Sequence, residues 1–496
     1  MKRTALSRTV SGMRWGTMST GVNIVFQIGF MAVMARLLSP ADFGLVAIAN
    51  VVLRFLSYFA QMGVSPALIQ KPHLEDGDVR AALSVSLSIS VFCVLLAVIF
   101  APLAQTYFSI PDLEHVIQAL SLSFLLTGAS AVSLGLLRRE MNFKKIALIE
   151  SASYVFGYGL IGVLLALAGM GVWALVGAAL SQAGMIAIFA YLAVRHEVAF
   201  THRREQRMHF LKFGSRYSLI GFIEFLCSSL DAMVIGKLFG AGPAGLYSRA
   251  FLLAHLPVQQ PANLLTKVLF PVISRLGIKR QADSLQISIL LVGSYAFSVS
   301  LGMIPAAHDL ITVLLGDQWI EAVPLLQVLA LAVGPVYVSH VMGTTLDAMS
   351  ALKPKLRIQA TKLVVLILLL LALSSKGTIG VVYAVVIAEW FGFLLIAGLT
   401  FSRLGKPVRE WRLIFGIAIM AGLTTLVSVW LANWFMPETA PSWLKLLCEM
   451  LSGAIALGLV AWLSRGALAG LPVMSELSQR LPQLERYMPA LPLQKS

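Results

Sequence analysis

The sequence predicts an all-α polytopic membrane protein with fourteen transmembrane helices. They form two six-helix bundles related by a parallel internal repeat, plus two C-terminal helices. Three observations predict this. Of 496 residues, 58% are hydrophobic and only 12% charged, with mean hydropathy +0.84. A soluble chain carries about 25% charge, so too little polar surface remains here to face water. Apolar runs of membrane-spanning length follow one another along the whole chain, which makes lipid the expected solvent. A stretch that begins at residue 33 also recurs 201 residues later.

Windows of about 20 apolar residues place spans near 13–37, 43–69, 81–108, 116–137, 146–168, 171–194 and 216–239. The remaining seven fall near 244–274, 284–307, 322–347, 358–375, 378–402, 412–434 and 443–464. The N-terminal "MKRTALSRTVSGMRWG" is basic, but its apolar run continues to Leu38. It reads as a first membrane helix rather than a cleaved signal peptide. The eighth span is long and reads as interrupted by Pro257 and Pro261, because proline removes a helix hydrogen bond.

An even number of spans puts both termini on one side. With the N-terminus inside, 31 of the 38 lysines and arginines fall in inner segments, as the positive-inside rule requires. The net charge of +15 is then topological, and no nucleic-acid partner is expected. Cys93, Cys227 and Cys448 sit inside apolar runs, too few and too separated for a disulfide framework or a metal site. The acids of "HLEDGDVR" (73–80) resemble metal ligands but read as a short solvated inner loop. The tail from 466 has prolines at 472, 482, 489 and 492 and is expected to be interfacial or disordered, without a catalytic role.

The stretch "GAGPAG" (240–245) spells G-x-G-x-x-G, the dinucleotide-binding spacing. That motif has meaning only between a strand and a helix, and here helices of membrane length flank it. Without gaps, "VMARLLSPADFGL" (33–45) aligns on "VIGKLFGAGPAGL" (234–246), pairing Arg36 with Lys237 and Gly44 with Gly245. The glycines therefore read as a helix–helix turn, and no cofactor is expected. The repeat divides the chain into bundles at 1–200 and 201–405, two further helices at 406–465 and a cytoplasmic tail at 466–496. Two such halves commonly rock against each other to give alternating access.

Four stretches carry a family resemblance. They are "LLSPADFGL" (37–45), "LLRREMNFKKIALIE" (136–150) and "DAMVIGKLFGAGPAGLYSRA" (231–250). The fourth is "KVLFPVISRL" (267–276) followed by "LLGDQWIEAVPLLQVLAL" (314–331). In these the chain resembles the Wzx-type flippases, the polysaccharide-transporter branch of the multidrug/oligosaccharidyl-lipid/polysaccharide superfamily, and among them the colanic acid exporter type. The resemblance implies a multi-pass protein of the bacterial inner membrane with both termini cytoplasmic. It implies transfer of undecaprenyl-pyrophosphate-linked oligosaccharide repeat units to the outer leaflet, for exopolysaccharide, capsule or O-antigen of lipopolysaccharide. Membrane lipids, a polymerase and chain-length or export proteins would be its partners.

An ionisable group inside the membrane costs ~3 to well over 10 kcal/mol and by default marks a pathway. A pyrophosphate substrate calls for cations, and the arginine fork binds phosphate bidentately. Arg54, in the middle of span two, is the leading candidate for substrate binding, an intramembrane ion pair being the alternative. Arg249 and Lys267 in span eight are further candidates. Arg14 and Arg216, which open spans one and seven, are candidates that also serve topology. Asp231, Glu224, Glu150 and Glu389 are candidates for a coupling proton or sodium ion, with structural ion pairing as their alternative; Asp231 matches an aspartate found in many family members. His255 and His340 titrate in a useful range but read as hydrogen-bonded packing residues.

Two other classes compete. A membrane-bound polysaccharide polymerase or glycosyltransferase needs a sizeable outer loop with an acid/base pair, and the longest outer segments, 308–321 and 433–443, hold none that convinces. A small-molecule antiporter of the same superfamily shares the fold, but basic residues favour an anionic lipid. No G-x-x-x-x-G-K-[ST] occurs, which disfavours an ATP-driven pump.

Overall fold

The computed structural model describes residues 24–60, 68, 74, 76–197, 218–273, 278–349, 351–405, 408–437 and 439–469. Among them the chain is helical throughout, without a strand. The helices are α1 (Ile24–Leu37), α2 (Pro40–Ala60), α3 (Asp76–Phe108) and α4 (Leu113–Arg139). Next come α5 (Phe143–Leu167), α6 (Val172–Val194), α7 (Ser218–Phe239), α8 (Ala241–Ile273) and α9 (Ile278–Leu314). The last five are α10 (Val323–Ala348), α11 (Leu352–Leu373), α12 (Thr378–Leu404), α13 (Val408–Phe435) and α14 (Ser442–Ala469). A π-helical stretch, Tyr154–Ile161, lies within α5.

Eleven of these helices are long and apolar enough to cross a membrane. The other three, α1, α7 and α8, adjoin or contain residues outside the described set. Only 11% of the apolar windows of α11 and α14 is buried. Leu371, Ile455 and Phe435 stand fully in the surroundings, as side chains do when the solvent is lipid. This is a multi-pass membrane protein.

Two compact units divide the chain. The first comprises Met1–Ser248 with Leu314–Trp319, and the second Arg249–Val313 with Ile320–Ser496. In the first, α3 packs along α4 and α4 along α6. The Ser86 hydroxyl donates to the carbonyl of Gly128 at 2.9 Å, and a Cβ on Gly128 would collide with Ser90. Small residues set this close approach because lipid supplies no hydrophobic drive between helices.

The 314–319 segment closes the end of α1. A helix leaves its last carbonyls without partners. Here the Trp319 ring Nε1 donates to the Ala35 carbonyl at 2.8 Å. Gln318 donates to Ala35 and, at 3.2 Å, to Leu38. Trp319 is fully buried and meets Phe43 edge-on at 5.4 Å. The Trp319→Phe variant keeps most of the ring volume but leaves one buried carbonyl with a weaker partner set, and is expected to lose about 1–2 kcal/mol. A lowered thermal midpoint in detergent checks this; an unchanged midpoint removes the ring N–H from the cap.

In the second unit α12 packs on α10 and α11, and α13 on α14. Interhelical bonds join them, from Trp390 Nε1 to the Leu331 carbonyl at 3.1 Å and from the Ser428 hydroxyl to Ser452 at 3.1 Å.

Two sequence expectations need correction. The helix α8 runs unbroken through Pro257 and Pro261. Pro261 has no N–H to give to the carbonyl of Pro257, four residues back. The Tyr295 hydroxyl supplies that bond at 3.1 Å, the kind of repair neighbouring helices offer in membranes. The segment 73–80 is also not all loop, since α3 begins at Asp76. Asp78 is buried, and Arg80 grips Glu197 through Nε and Nη2 at 2.9 and 2.6 Å. The tail beyond 469 lies outside the described residues.

Candidate functional site

The two turns that align in the sequence both lie in the first unit. Ser39 caps α2: its hydroxyl and backbone N–H both donate to Asp42 Oδ2, at 2.7 and 3.0 Å, and the Asp42 N–H returns to the Ser39 hydroxyl. This is a capping box, with Pro40 at the first helical position, where its missing N–H costs nothing. At the second turn Gly240 takes φ +82° between α7 and α8, a conformation glycine adopts without strain. No strand precedes it, and the G-x-G-x-x-G spacing belongs to a helix–helix junction.

The two helix starts meet through backbone. A Cβ on Gly44 would lie 2.6 Å from the carbonyl carbon of Ala241, and a Cβ on Gly245 2.7 Å from that of Pro40. Each glycine of the aligned pair thus makes room for the other copy's helix start. Asp231 on α7 accepts from the hydroxyl of Tyr247 on α8 and from the N–H of Ala232 at 2.8 Å. This buried carboxyl ties α7 to α8 about two turns from the junction.

Arg54 sits on α2 fourteen residues beyond Pro40, about 21 Å along the helix axis, in the last turn of the apolar stretch Pro40–Ser57. Its residue is exposed. Its backbone carbonyl accepts from the Ser57 hydroxyl at 2.7 Å, while its guanidinium has no ion pair among the described residues. Next to it Phe55 packs on Phe225 of α7 at 5.9 Å, which sets the rotation of α2 on α7. An exposed cation thus stands in the last turn of an apolar helical stretch.

The other sequence candidates distribute differently. Arg249, in the second unit, is half-buried and has interactions of its own. Glu389 of α12 pairs with Lys362 of α11 at 2.5 Å, both side chains being mostly buried. Lys355 pairs with Asp347 at 2.7 Å in the same unit. Glu150 is exposed on α5. The side chains of Glu224 and Lys267, and all of Arg14 and Arg216, lie outside the described residues. His255 stacks on Phe251 at 4.2 Å, close to Tyr337 at 5.8 Å. Among the described residues no group of three or more His, Cys, Asp or Glu side chains is placed to hold a metal.

One charged residue escaped the sequence reading. Glu449 of α14 is 2% exposed, and neither carboxyl oxygen has a hydrogen-bond partner of ordinary geometry among the described residues. An acid inside "LKLLCEMLSGAIALGL" was the signal available, by the same reasoning that found Arg54.

The helices and their apolar outer faces define a multi-pass helical membrane protein. Residues 33–324, more than half of the chain, match the family described as "Polysaccharide biosynthesis protein". The chain belongs to that family, which bears out its resemblance to the Wzx-type flippases. It is 22% identical over 436 residues to the lipopolysaccharide biosynthesis protein WzxC of Escherichia coli (strain K12), covering 85% of this chain and 86% of that one. It is 29% identical over 342 residues to the succinoglycan biosynthesis transport protein ExoT of Rhizobium meliloti (strain 1021), covering 67% and 68%. Among solved structures, the lipid II flippase MurJ in an inward closed conformation shares the fold. The TM-score is 0.74 at 17% identity, over 91% of this chain and 98% of that one.

Proposed function

We propose that this protein flips undecaprenyl-pyrophosphate-linked oligosaccharide repeat units from the inner to the outer leaflet of the bacterial inner membrane. The product would feed exopolysaccharide, capsule or O-antigen assembly, with polymerase and chain-length or export proteins acting after it. The observation that carries the reading is Arg54, a cation within an apolar helical stretch, exposed and without an ion pair among the described residues. A lipid-facing arginine there would cost ~3 to more than 10 kcal/mol. An anionic headgroup passing through a hydrated path offsets that cost, and a guanidinium meets a pyrophosphate with paired, charge-assisted hydrogen bonds. Arg249, Lys267, Arg14 and Arg216 would extend the cationic route.

Transport would proceed by alternating access of the two halves, driven by a proton or sodium gradient, with both termini cytoplasmic. Kinship to WzxC and ExoT, whose names place them in polysaccharide biosynthesis and transport, supports the substrate class.

Depletion of the protein is expected to strand lipid-linked repeat units at the inner leaflet. Leaflet position is read by lectin or periodate access in intact spheroplasts and inverted vesicles. Loss of a polymerase would instead leave single units at the outer leaflet. Outer-leaflet accumulation, or polymer at normal yield, overturns the proposal.

A further inference from the structure

Within the second unit, α9, α13 and α14, with Pro257 of α8, line a cavity of about 360 Å³. Its wall is apolar apart from four side chains, Tyr295, Ser298, Thr425 and Glu449. Met450 also lines it and is 65% exposed, so the cavity is open at that side.

Two of the four polar groups are committed elsewhere. The Tyr295 hydroxyl donates to Pro257 and the Thr425 hydroxyl to Ala421, at 3.1 and 2.8 Å. The other two, Ser298 Oγ and the Glu449 carboxyl, are buried without a hydrogen-bond partner of ordinary geometry among the described residues. Two charged groups act on Glu449. Asp309 approaches from α9 and Lys445 from the preceding turn of α14, with opposite signs. Asp309 is itself 3.9 Å from His308. Asn433 approaches from α13; one N–H of its amide donates to the Pro305 carbonyl at 3.3 Å, and the other is left to face the Glu449 carboxyl.

An ionised carboxylate withdrawn from water without a partner costs several kcal/mol. Natural proteins leave few buried polar atoms unmatched, and those that remain point to a missing water, ion or redox or catalytic role. The cavity has room for several waters, each of which needs polar partners, and Ser298 and Glu449 are the two groups that provide them.

We propose that Glu449 is a proton-binding site. While the cavity is dry, Glu449 is a neutral carboxylic acid. When water enters, the acid passes its proton to a water molecule, leaving a carboxylate and a hydronium ion. The carboxylate is then solvated in place, with Ser298 donating to the water cluster. Proton occupancy and hydration of the cavity between α9, α13 and α14 are thereby linked. That the exchange accompanies a transport cycle rests on the function proposed above; the site itself does not.

Two measurements on the purified full-length protein in lipid nanodiscs test this without any substrate. Infrared difference spectra between acidic and alkaline buffer are expected to show a carboxylic acid carbonyl band that is lost in Glu449→Gln and moves in Glu449→Asp. A hydrophobic carbodiimide, which reacts with protonated carboxyls in apolar surroundings, is expected to modify Glu449 of the unaltered chain in acid and not in alkali, read by peptide mass spectrometry. The second measurement needs no variant to fold. Coincident spectra for the parent and Glu449→Gln, or no carbodiimide adduct on Glu449, overturns the proposal. A protonated Glu449 in a protein whose depletion strands no lipid-linked units would leave the proton site standing and overturn the flippase reading alone.

Discussion

Arg54→Ala is expected to abolish polymer export while leaving the amount of protein in the membrane unchanged. The argument turns on what the guanidinium does now. Were it half of a structural ion pair, its removal would leave an acid buried and unpaired, at a cost of about 3–5 kcal/mol, and abundance would fall. Among the described residues no acid pairs with Arg54, and its residue is exposed. Loss of a charged contact to a desolvated partner costs roughly 2–5 kcal/mol. If that contact is made in the rate-limiting step, transport slows by roughly thirtyfold to a few thousandfold. Arg54→Lys keeps the charge but not the fork and is expected to retain a fraction of the rate. Polymer yield beside an immunoblot of the membrane fraction reads both quantities. Normal yield in Arg54→Ala would exclude the residue from the route; parallel loss of protein and polymer would make it structural.

Legibility in the sequence followed the range of the interactions. Helices were readable because a bilayer forces backbone polar groups to bond within the segment, so apolar length alone locates them. The Gly44/Gly245 pair was readable because the repeat places equivalent residues at a fixed offset. What depended on contacts between distant residues was not. Sequence showed Pro257 and Pro261 as breakers, since nothing near them in the chain reveals that Tyr295, thirty-eight residues away, supplies the missing bond. Glu389 was visible as a membrane acid, but its partner Lys362 is twenty-seven residues away on another helix, and nothing local reveals their 2.5 Å pair. Trp319 belonged to a recognisable motif whose task, capping α1 from 284 residues away, had no local sign. Glu449 differed in kind, because its signal was present and passed over. An acid in the second turn of a span resembles an interface residue until its burial is known.

The second large effect is expected at the crossing of α2 and α8. Gly44→Ala and Gly245→Ala should each reduce folded protein in the membrane by tenfold or more. At both positions the added methyl would overlap a carbonyl group of the facing helix start, Ala241 in one case and Pro40 in the other. Neither obstacle is a side chain that swings aside; the backbone of a capped helix must move. Overpacking with adaptable neighbours costs about 1–3 kcal/mol, and a rigid neighbour puts these variants at or above the top of that range. Because the contact is reciprocal, either methyl forces the same separation of the same two helices. The double variant is therefore expected to be scarcely worse than the singles, a failure of additivity of the kind adjoining residues show. Gly242→Ala is the matched control. It lies in the same turn, and a Cβ there meets nothing within 4 Å, so helix propensity favours alanine by up to about 1 kcal/mol. Abundance of the four variants by quantitative blot, with thermal midpoints of those that can be purified, decides the matter. If the double variant loses the sum of the single losses, the two glycines act separately and the reciprocal crossing is not what holds the helix starts together. If Gly242→Ala is as damaging as its neighbours, the turn demands glycine for a reason other than the close approach of backbone.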